Sequence, residues 1–318
     1  MRHMESKNNT TQSTIRRDVR ISGIGLHSGK EASITIKPAL PNSGILFIRK
    51  DLENPIAIPA LLEFVTQTRL ATTLGRNQAH ISTVEHLLSA FKLVGVDNAV
   101  VEVEGPEVPI MDGSAAPFCD ALMEAGIYDL GVAKKVAVLK RRVEVHKGDK
   151  SAIVEPSRQF KINARIEWNH PAIGEQELTF VLGQSDIREI SHARTFGFLK
   201  DVEALHRMGL ACGGSLDNAV VMDEQKVLNP TGLRHTDEFV RHKVLDAIGD
   251  FALAPLAFLG DVTLVKAGHE LHAELVQAIF SDPENYEIRT MDEVAAHKES
   301  AAYVLSPAWL AGTLQGIY

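Results

Sequence analysis

Alternation between hydrophobic and polar positions predicts β-strands near the beginning of the chain. Residues 14–38 contain two such segments, RRDVRISGIG and ASITIKP, separated by the turn-like LHSGKE. Within residues 32–37 apolar and polar side chains alternate with the period of two that turns one face of a strand towards a core. The later segment NAVVEVEG is rich in β-branched residues and predicts a further strand.

A period of three to four residues predicts helices in the first half of the chain. In ISTVEHLLSAFKLVG the apolar residues Val84, Leu87, Leu88 and Phe91 fall on one helical face. A second helix is predicted in APFCDALMEAGI. The basic stretch that follows, residues 132–142, predicts a connection into a new unit.

The second half of the chain repeats this order of elements. Strands are predicted at residues 142–156, at 160–168 and in DVTLVKAG, and helices at 237–251 and in ELHAELVQAIF. Both halves therefore contain a helix, a strand, a loop and a helix in the same order. This repetition predicts the α+β class, with two similar domains in which a sheet packs against helices.

The predicted domains are residues 14–132 and residues 133–318. Residues 1–13 are polar and predict a disordered or non-native tail. Residues 185–229 mix strand and helix signals with glycines, which predicts an insertion in the second domain. Two domains that face each other leave a cleft, and binding sites are often found in such clefts.

Composition and charge narrow the classes of function. Hydrophobic residues make up 45% of the chain and charged residues 23%, and the net charge of −8 argues against a nucleic-acid partner. The two cysteines, Cys119 and Cys212, are far apart, which argues against a thiolate zinc site and suits a reducing cytoplasm. No apolar run reaches the roughly 20 residues that span a bilayer, so we expect a cytoplasmic protein with no integral membrane segment.

The segment TDEFVRHKVLDAIGDF carries the first candidate for chemistry. His242 and Asp246 lie four residues apart on one helical face, and Asp250 continues that line one turn later. An imidazole and a carboxylate at this spacing are good zinc ligands, and Lys243 between them would suit an anionic substrate. A solvated His–Asp pair is the commoner explanation of the spacing alone, but the broad apolar stripe of this helix leaves its polar groups on a narrow face.

Two other segments each leave two explanations open. In STVEHLLSAF, His86 is a candidate ligand and Glu85 a candidate general base, but Ser82 and Glu85 also match a helix capping box. His269 lies in a loop and is a candidate acid–base group, because the ordinary pKa of histidine is near neutrality. With 13 histidines in the chain, placement in a loop by chance is the alternative. The residues alone therefore indicate no more than a candidate metal hydrolase.

Seven ordered segments identify a family. They are GIGLHSG (23–29), STVEHL (82–87), PIMDGSAAPF (109–118), NHPAIG (169–174), ARTFGF (193–198), DEFVRHKVLDAIGD (237–250) and AGH (267–269). With them the chain resembles, over about residues 14–277, the UDP-3-O-acyl-N-acetylglucosamine deacetylases, zinc enzymes of lipid A synthesis in Gram-negative bacteria. The resemblance implies hydrolysis of the N-acetyl group with release of acetate. It also implies two α+β domains that face each other, with an insertion in each lining the active-site cleft.

The resemblance implies roles for individual residues of the metal centre. His86, His242 and Asp246 match the metal ligands, which leaves one coordination position for water. The metal is zinc or, in the cell, iron(II), because histidine and carboxylate ligands accept both. Glu85 matches the general base. The other catalytic positions are His269, a second acid–base group; Thr195, a hydroxyl that hydrogen-bonds the tetrahedral intermediate; and Asp250, which orients His269 or a ligand.

Substrate contacts follow from the same resemblance. Lys243, Lys266 and Lys150 match cationic positions near the sugar diphosphate and the nucleotide. Trp168 matches an aromatic residue that stacks on uracil, where the family more often has phenylalanine. An apolar tunnel for the acyl chain is implied, with ordinary core packing as the alternative, at Leu26, Phe196, Phe198, Val202, Leu216 and Val221. The implied partner is a small-molecule UDP-sugar, and we expect the protein to act as a monomer.

Overall fold

The structure, a computed structural model, describes residues 10–296. The first half contains β1 (Thr11–Ile15), β2 (Val19–Ile24), β3 (Glu31–Pro38), β4 (Ile45–Arg49), β5 (Ile56–Pro59), β6 (Val65–Gln67), β7 (Thr73–Arg76), β8 (Ala79–Ile81), α1 (Glu85–Val94), β9 (Ala99–Glu104), α2 (Ala116–Ala125) and β10 (Ile127–Ala133). The second half contains β11 (Lys135–Leu139), β12 (Val143–Lys147), β13 (Lys150–Glu155), β14 (Phe160–Trp168), β15 (Gly174–Val181), α3 (Arg188–Ser191), β16 (Phe196–Phe198), α4 (Leu199–Arg207), β17 (Val220–Met222), α5 (Glu238–Phe251), β18 (Phe258–Val265), α6 (His269–Ser281) and β19 (Tyr286–Thr290). The predicted α+β class is confirmed.

The main sheets of the two halves share one topology. In the first sheet the order is β2-β3-β9-β4-β5, and the central strand β9 pairs antiparallel with β3 and parallel with β4. In the second sheet β18 is central, and it pairs antiparallel with β13 and parallel with β14. The outer strands correspond as well, because β12 pairs with β13 as β2 does with β3, and β15 pairs with β14 as β5 does with β4. This shared order supports two similar domains. The boundary predicted at residue 132 falls within β10 and stays a prediction.

Smaller elements accompany the main sheets. β6, β7 and β8 form a separate antiparallel sheet in the first half, and β16 pairs with β17 in the second. β11 and β19 extend the second sheet at the beginning of β18. The segment predicted as an insertion, residues 185–229, thus contains the α3, β16, α4 and β17 elements, in agreement with its mixed signals.

One sequence prediction is wrong, and a second is silent about a strand. Residues 11–13, predicted to lie in a disordered tail, belong to β1, which pairs with β10. These residues are polar, so the hydropathy pattern does not predict a strand here. They are held by backbone pairing and by hydrogen bonds to distant side chains, such as the one that the Ser13 N–H donates to Asp97 at 2.9 Å. Residues 1–9 lie outside the described residues. Residues 132–142, predicted to connect into a new unit, contain the strand β11. Its Val136, Ala137 and Leu139 are buried, but the basic residues on either side make the segment look like an exposed connection.

The contact between α1 and α5 positions the site. Both helices are buried along almost their whole length, so they pack in the interior and not on the surface. They approach closely at Gly249, where a Cβ atom would overlap the backbone carbonyl of Glu85. The absence of a side chain at this position therefore brings the beginning of α1 against the last turns of α5. Among residues 10–296, no helix is long and apolar enough to cross a membrane.

Candidate metal centre

A cleft of ≈ 560 Å³ lies where α1, α5 and the beginning of α6 meet the segment around β16. Its walls come from both halves of the chain. Most of the residues predicted from the sequence line it, namely Leu26, Glu85, His86, Lys150, Trp168, Thr195, Phe196, Phe198, His242, Lys243, Asp246 and His269. Asp250 lies behind His269, with which it forms a hydrogen bond.

Three buried donor groups converge at the bottom of this cleft. The Nε2 atoms of His86 and His242 lie 3.7 Å and 3.3 Å from Oδ1 of Asp246, and all three side chains are at most 4% exposed. Metal–ligand bonds of ~2.0–2.1 Å in a tetrahedron place the ligand atoms about 3.3 Å apart. The spacing of these donors therefore fits a tetrahedral ion with one position left open.

Hydrogen bonds and burial set the protonation states of His242 and Asp246 in a way that favours binding of a cation. The His242 Nδ1–H donates to the backbone carbonyl of Ala193 at 3.0 Å, which leaves Nε2 as the free donor atom. Burial lowers the pKa of His242 to about 4, so its ring is neutral at physiological pH. Burial alone would raise the pKa of Asp246, but its interactions with His242 and with the Lys243 cation outweigh burial and hold that pKa well below its usual value. The Lys243 Nζ donates to Oδ2 of Asp246 at 2.8 Å.

Glu85 does not cap its helix, so the structure excludes the capping box that the sequence left open as an alternative. α1 begins at Glu85 itself, and no side chain accepts a hydrogen bond at its N-cap. Ser82 lies between β8 and α1, and its hydroxyl is instead hydrogen-bonded to that of Thr73 at 2.9 Å. The Glu85 carboxylate turns back and accepts a hydrogen bond from the backbone N–H of Thr72 at 3.1 Å.

Glu85 and His269 lie next to each other beside the three donor groups. His269 Nε2 lies 4.0 Å from Oε1 of Glu85, and its Nδ1–H donates to Oδ2 of Asp250 at 2.7 Å. Burial raises the pKa of Glu85 to about 7, against the opposing effect of His269. Burial would lower the pKa of His269, but the negative charge of Asp250 and the hydrogen bond to it raise that pKa to about 9.

Asp250 joins a second group of buried residues. Its Oδ2 also accepts a hydrogen bond from the His272 Nδ1–H at 2.8 Å, and its Oδ1 accepts one from the Thr72 hydroxyl at 2.6 Å. Burial opposes ionisation of Asp250, but the charge of His269 and the hydrogen bonds from His269 and His272 outweigh it and hold the pKa of Asp250 far below its usual range. Asp250, His269 and His272 are close enough to hold a metal ion. Their hydrogen bonds already occupy the Asp250 carboxylate, so the group of His86, His242 and Asp246 fits an ion better.

Thr195 is held at the wall of the cleft by its backbone. Its N–H donates to the carbonyl of Gly113 at 2.7 Å, and a Cβ atom at Gly113 would overlap the backbone carbonyl of Asn218. The preceding residue, Arg194, forms a buried ion pair with Glu238 at 2.8 Å. The MDGS and ARTFGF motifs thus meet in one packed junction that fixes the backbone of Thr195 at the cleft wall.

The residues predicted to contact substrate are placed less uniformly. Trp168 packs against the edge of Phe196, with ring centroids 5.6 Å apart, and both line the cleft together with Phe198. Lys266 does not line it and is paired with Asp149 and Glu167 at 2.9 Å and 2.7 Å. Three apolar residues predicted for a tunnel also lie outside the lining: Val202, Leu216 and Val221. α4 contributes Asp201 and Leu205 in their place.

Sequence analysis missed several residues around the site. Thr72 contacts both Glu85 and Asp250, although no pattern distinguishes this threonine from others in the chain. The backbone carbonyl of Ala193 orients His242 and carries no side-chain signal. His272 could have been found, because it follows His269 by three residues and therefore shares its helical face.

Comparison with known proteins agrees with this geometry. The family model described as LpxC: UDP-3-O-acyl N-acetylglycosamine deacetylase matches residues 12–281. A protein of Myxococcus xanthus named UDP-3-O-acyl-N-acetylglucosamine deacetylase is 51% identical over 278 residues, which cover 87% of this chain and 88% of the relative. Proteins with the same name from Campylobacter hominis and Geotalea uraniireducens are 47% and 45% identical, and the matches cover 90% and 94% of this chain and 97% and 98% of theirs. The chain therefore belongs to the LpxC family of UDP-3-O-acyl N-acetylglycosamine deacetylases.

Proposed function

We propose that the protein hydrolyses the N-acetyl group of UDP-3-O-acyl-N-acetylglucosamine with one zinc ion, releasing acetate for lipid A synthesis. The main support for this function is that His86, His242 and Asp246 lie close together, next to Glu85 and His269. The substrate is that of the relatives' printed name, and their similarity extends over most of this chain. Two histidines and one carboxylate form a zinc ligand set with an open position, although iron(II) accepts the same ligands.

The residues divide the reaction between a base and an acid. A zinc ion held by the three ligands would supply Lewis acidity to the attacking water and to the acetamide carbonyl. Glu85 takes the proton of the water as its oxygen bonds to the carbonyl carbon. His269, protonated at neutral pH because its pKa is about 9, donates a proton to the amine as the C–N bond breaks. The Thr195 hydroxyl donates a hydrogen bond to the oxygen on which negative charge develops.

Substrate contacts are assigned to the lining of the cleft. We place the uracil against Trp168 and the diphosphate near Lys150, with Lys243 closer to the sugar. Phe196, Phe198 and Leu26 offer apolar surface to the acyl chain. Val202, Leu216, Val221 and Lys266 would contact substrate only after a rearrangement, because they lie outside this lining.

The domain bounds, the oligomeric state and the cellular location are also proposals. We propose domains at residues 14–132 and 133–318, with residues 185–229 as the insertion of the second, on the basis of the shared sheet topology. A monomer is proposed because one chain supplies both sides of the cleft. The two unpaired cysteines, Cys119 and Cys212, support a reducing location such as the cytoplasm.

The test is an assay of acetate release from UDP-3-O-acyl-N-acetylglucosamine. The protein loaded with zinc should release one acetate per substrate, the chelated protein should release none, and added zinc should restore activity. His242→Ala, which removes one ligand, should bind less metal and stay inactive. A zinc-loaded wild type that releases no acetate would refute the proposed function.

A further inference from the structure

We propose that Thr72 is a positioning residue that holds the Glu85 and Asp250 carboxylates in their working orientation around His269. This role rests on the proposed function, because it concerns the same acid–base pair. Thr72 lies just before β7, is 1% exposed, and has no place in the motifs that identify the family. Thr72 itself is neither one of the three candidate metal ligands nor a lining residue of the cleft.

All the polar groups of Thr72 are engaged with the catalytic helices. Its backbone N–H donates to Oε2 of Glu85 at 3.1 Å, and its hydroxyl donates to Oδ1 of Asp250 at 2.6 Å. Its carbonyl accepts from the N–H of Val84, the residue before α1, at 3.3 Å. One residue therefore connects the beginning of α1 with the last turns of α5.

The oxygen atoms that Thr72 contacts show how it could orient the two carboxylates. Thr72 binds one oxygen of each carboxylate, Oε2 of Glu85 and Oδ1 of Asp250. The other oxygens, Oε1 and Oδ2, face the two nitrogens of a single imidazole ring, Nε2 and Nδ1 of His269, at 4.0 Å and 2.7 Å. Fixing the rear oxygen of each carboxylate therefore fixes the direction of the front oxygen that serves His269.

Threonine suits this role because it is a neutral donor. A buried carboxylate oxygen without a hydrogen bond is costly, so both rear oxygens need a partner. A lysine or arginine there would add positive charge beside His269, whereas an N–H and an O–H satisfy the oxygens without adding a charge. The Thr72 side chain is also buried, so a role in packing is the alternative that an experiment has to separate from hydrogen bonding.

Two substitutions separate hydrogen bonding from packing. Thr72→Val keeps the shape and the backbone N–H but removes the hydroxyl, whereas Thr72→Ser keeps the hydroxyl and removes the methyl group. We expect Thr72→Val to lower kcat about tenfold or more with KM changed less than about twofold, because a hydrogen bond to a charged group is lost. Thr72→Ser should keep kcat within about threefold of the wild type, because the hydroxyl remains.

Thr73→Val is the matched control. Thr73 is 8% exposed, and its hydroxyl is bonded to Ser82 at 2.9 Å and to no residue of the acid–base pair. It should keep kcat within about twofold, which is the change expected when no catalytic group loses a partner. Bound zinc and the thermal unfolding midpoint are measured for all variants. A Thr72→Ser variant slower than Thr72→Val would overturn the proposal in favour of packing, and equal kcat values in all three variants would also overturn it.

A readout without turnover keeps this test separate from the proposed function. Thr72→Val should shift the ¹H NMR signals of the ring N–H protons of His269 and His272, because both donate to Asp250. Thr73→Val should leave these signals in place. If the wild type releases no acetate, the proposed function fails, and the NMR comparison alone decides the role of Thr72: unchanged signals in Thr72→Val would refute it.

Discussion

Asp250→Asn isolates the electrostatic control of His269. Asp250 is 3% exposed, and its carboxylate accepts hydrogen bonds from Thr72, His269 and His272. Asparagine has nearly the same shape, so the substitution removes the negative charge with little change in volume. Burial of the ring lowers the pKa of His269, and the charge of Asp250 is the largest of the contributions that raise it.

The expected magnitude follows from that pKa. The difference between the ordinary value of 6.5 and about 9 corresponds to about 3 kcal/mol in favour of the protonated ring. With a pKa near 9, ~99% of His269 is protonated at pH 7. Without the Asp250 charge only Asp246 and Glu85 still oppose the effect of burial, so the pKa of His269 should fall towards its ordinary value of 6.5, at which ~25% of the ring is protonated at pH 7.

The pH dependence of kcat measures this change. In the wild type the alkaline limb should lie near pH 9, because His269 must carry its proton to the leaving amine. In Asp250→Asn the limb should move below pH 7, and kcat at pH 8 should fall by more than about tenfold. The same raised pKa stabilises the folded wild type fully below pH 6.5, and this contribution should be lost as the pH rises through 9.

A remote carboxylate provides the control. Asp97 is paired with Lys134 at 2.9 Å and lies outside the cleft lining, so Asp97→Asn should leave the alkaline limb unchanged. NMR titration of the His269 ring in both variants reports the pKa directly. An Asp250→Asn enzyme whose alkaline limb stays near pH 9 would show that Asp250 does not set the protonation of His269.

Three further predictions address other parts of the site. Glu85→Gln should keep one bound metal ion while kcat falls at least about 100-fold, because the base is lost and the ligands remain; a parallel loss of metal would make Glu85 a structural residue. Gly249→Ala should destabilise the protein by about 1–3 kcal/mol in denaturant unfolding, because the new methyl group overlaps the Glu85 carbonyl, and an unchanged unfolding midpoint would contradict the close helix contact. Shortening the acyl chain of the substrate should reduce kcat/KM about fourfold per CH₂, or about 0.8 kcal/mol, and an indifferent rate would exclude apolar burial of the chain.

The sequence predicts those features that depend on local spacing. The helical stripe of α5 and the four-residue interval between His242 and Asp246 both follow from 3.6 residues per turn, and both are present in the structure. The strands β14 and β18 are predicted by their apolar content. By contrast, β1 is polar and is held by its neighbours, so its own side chains carry no signal.

Features that depend on distant contacts are not predictable in this way. The spacing in STVEHL fits a capping box as well as a catalytic base, and only the contact with Thr72 and α5 shows where the Glu85 carboxylate points. Val202, Leu216 and Val221 are apolar residues in the right segment, but their orientation depends on how α4 and β17 pack, and they lie outside the cleft lining. The ion pairs of Lys266 with Asp149 and Glu167 likewise join segments far apart in the chain.

The shared topology of the two sheets explains where the metal group lies. α1 precedes the central strand β9 of the first sheet, and α5 precedes the central strand β18 of the second, so the two helices hold equivalent places in the two halves. α1 supplies His86, whereas α5 supplies His242 and Asp246. Neither half contains the complete candidate ligand group. The proposed base, Glu85, also comes from α1, while Asp250, the hydrogen-bond partner of the proposed acid, comes from α5. Any change that separates the two helices at Gly249 must therefore loosen the ligands and the acid–base pair together.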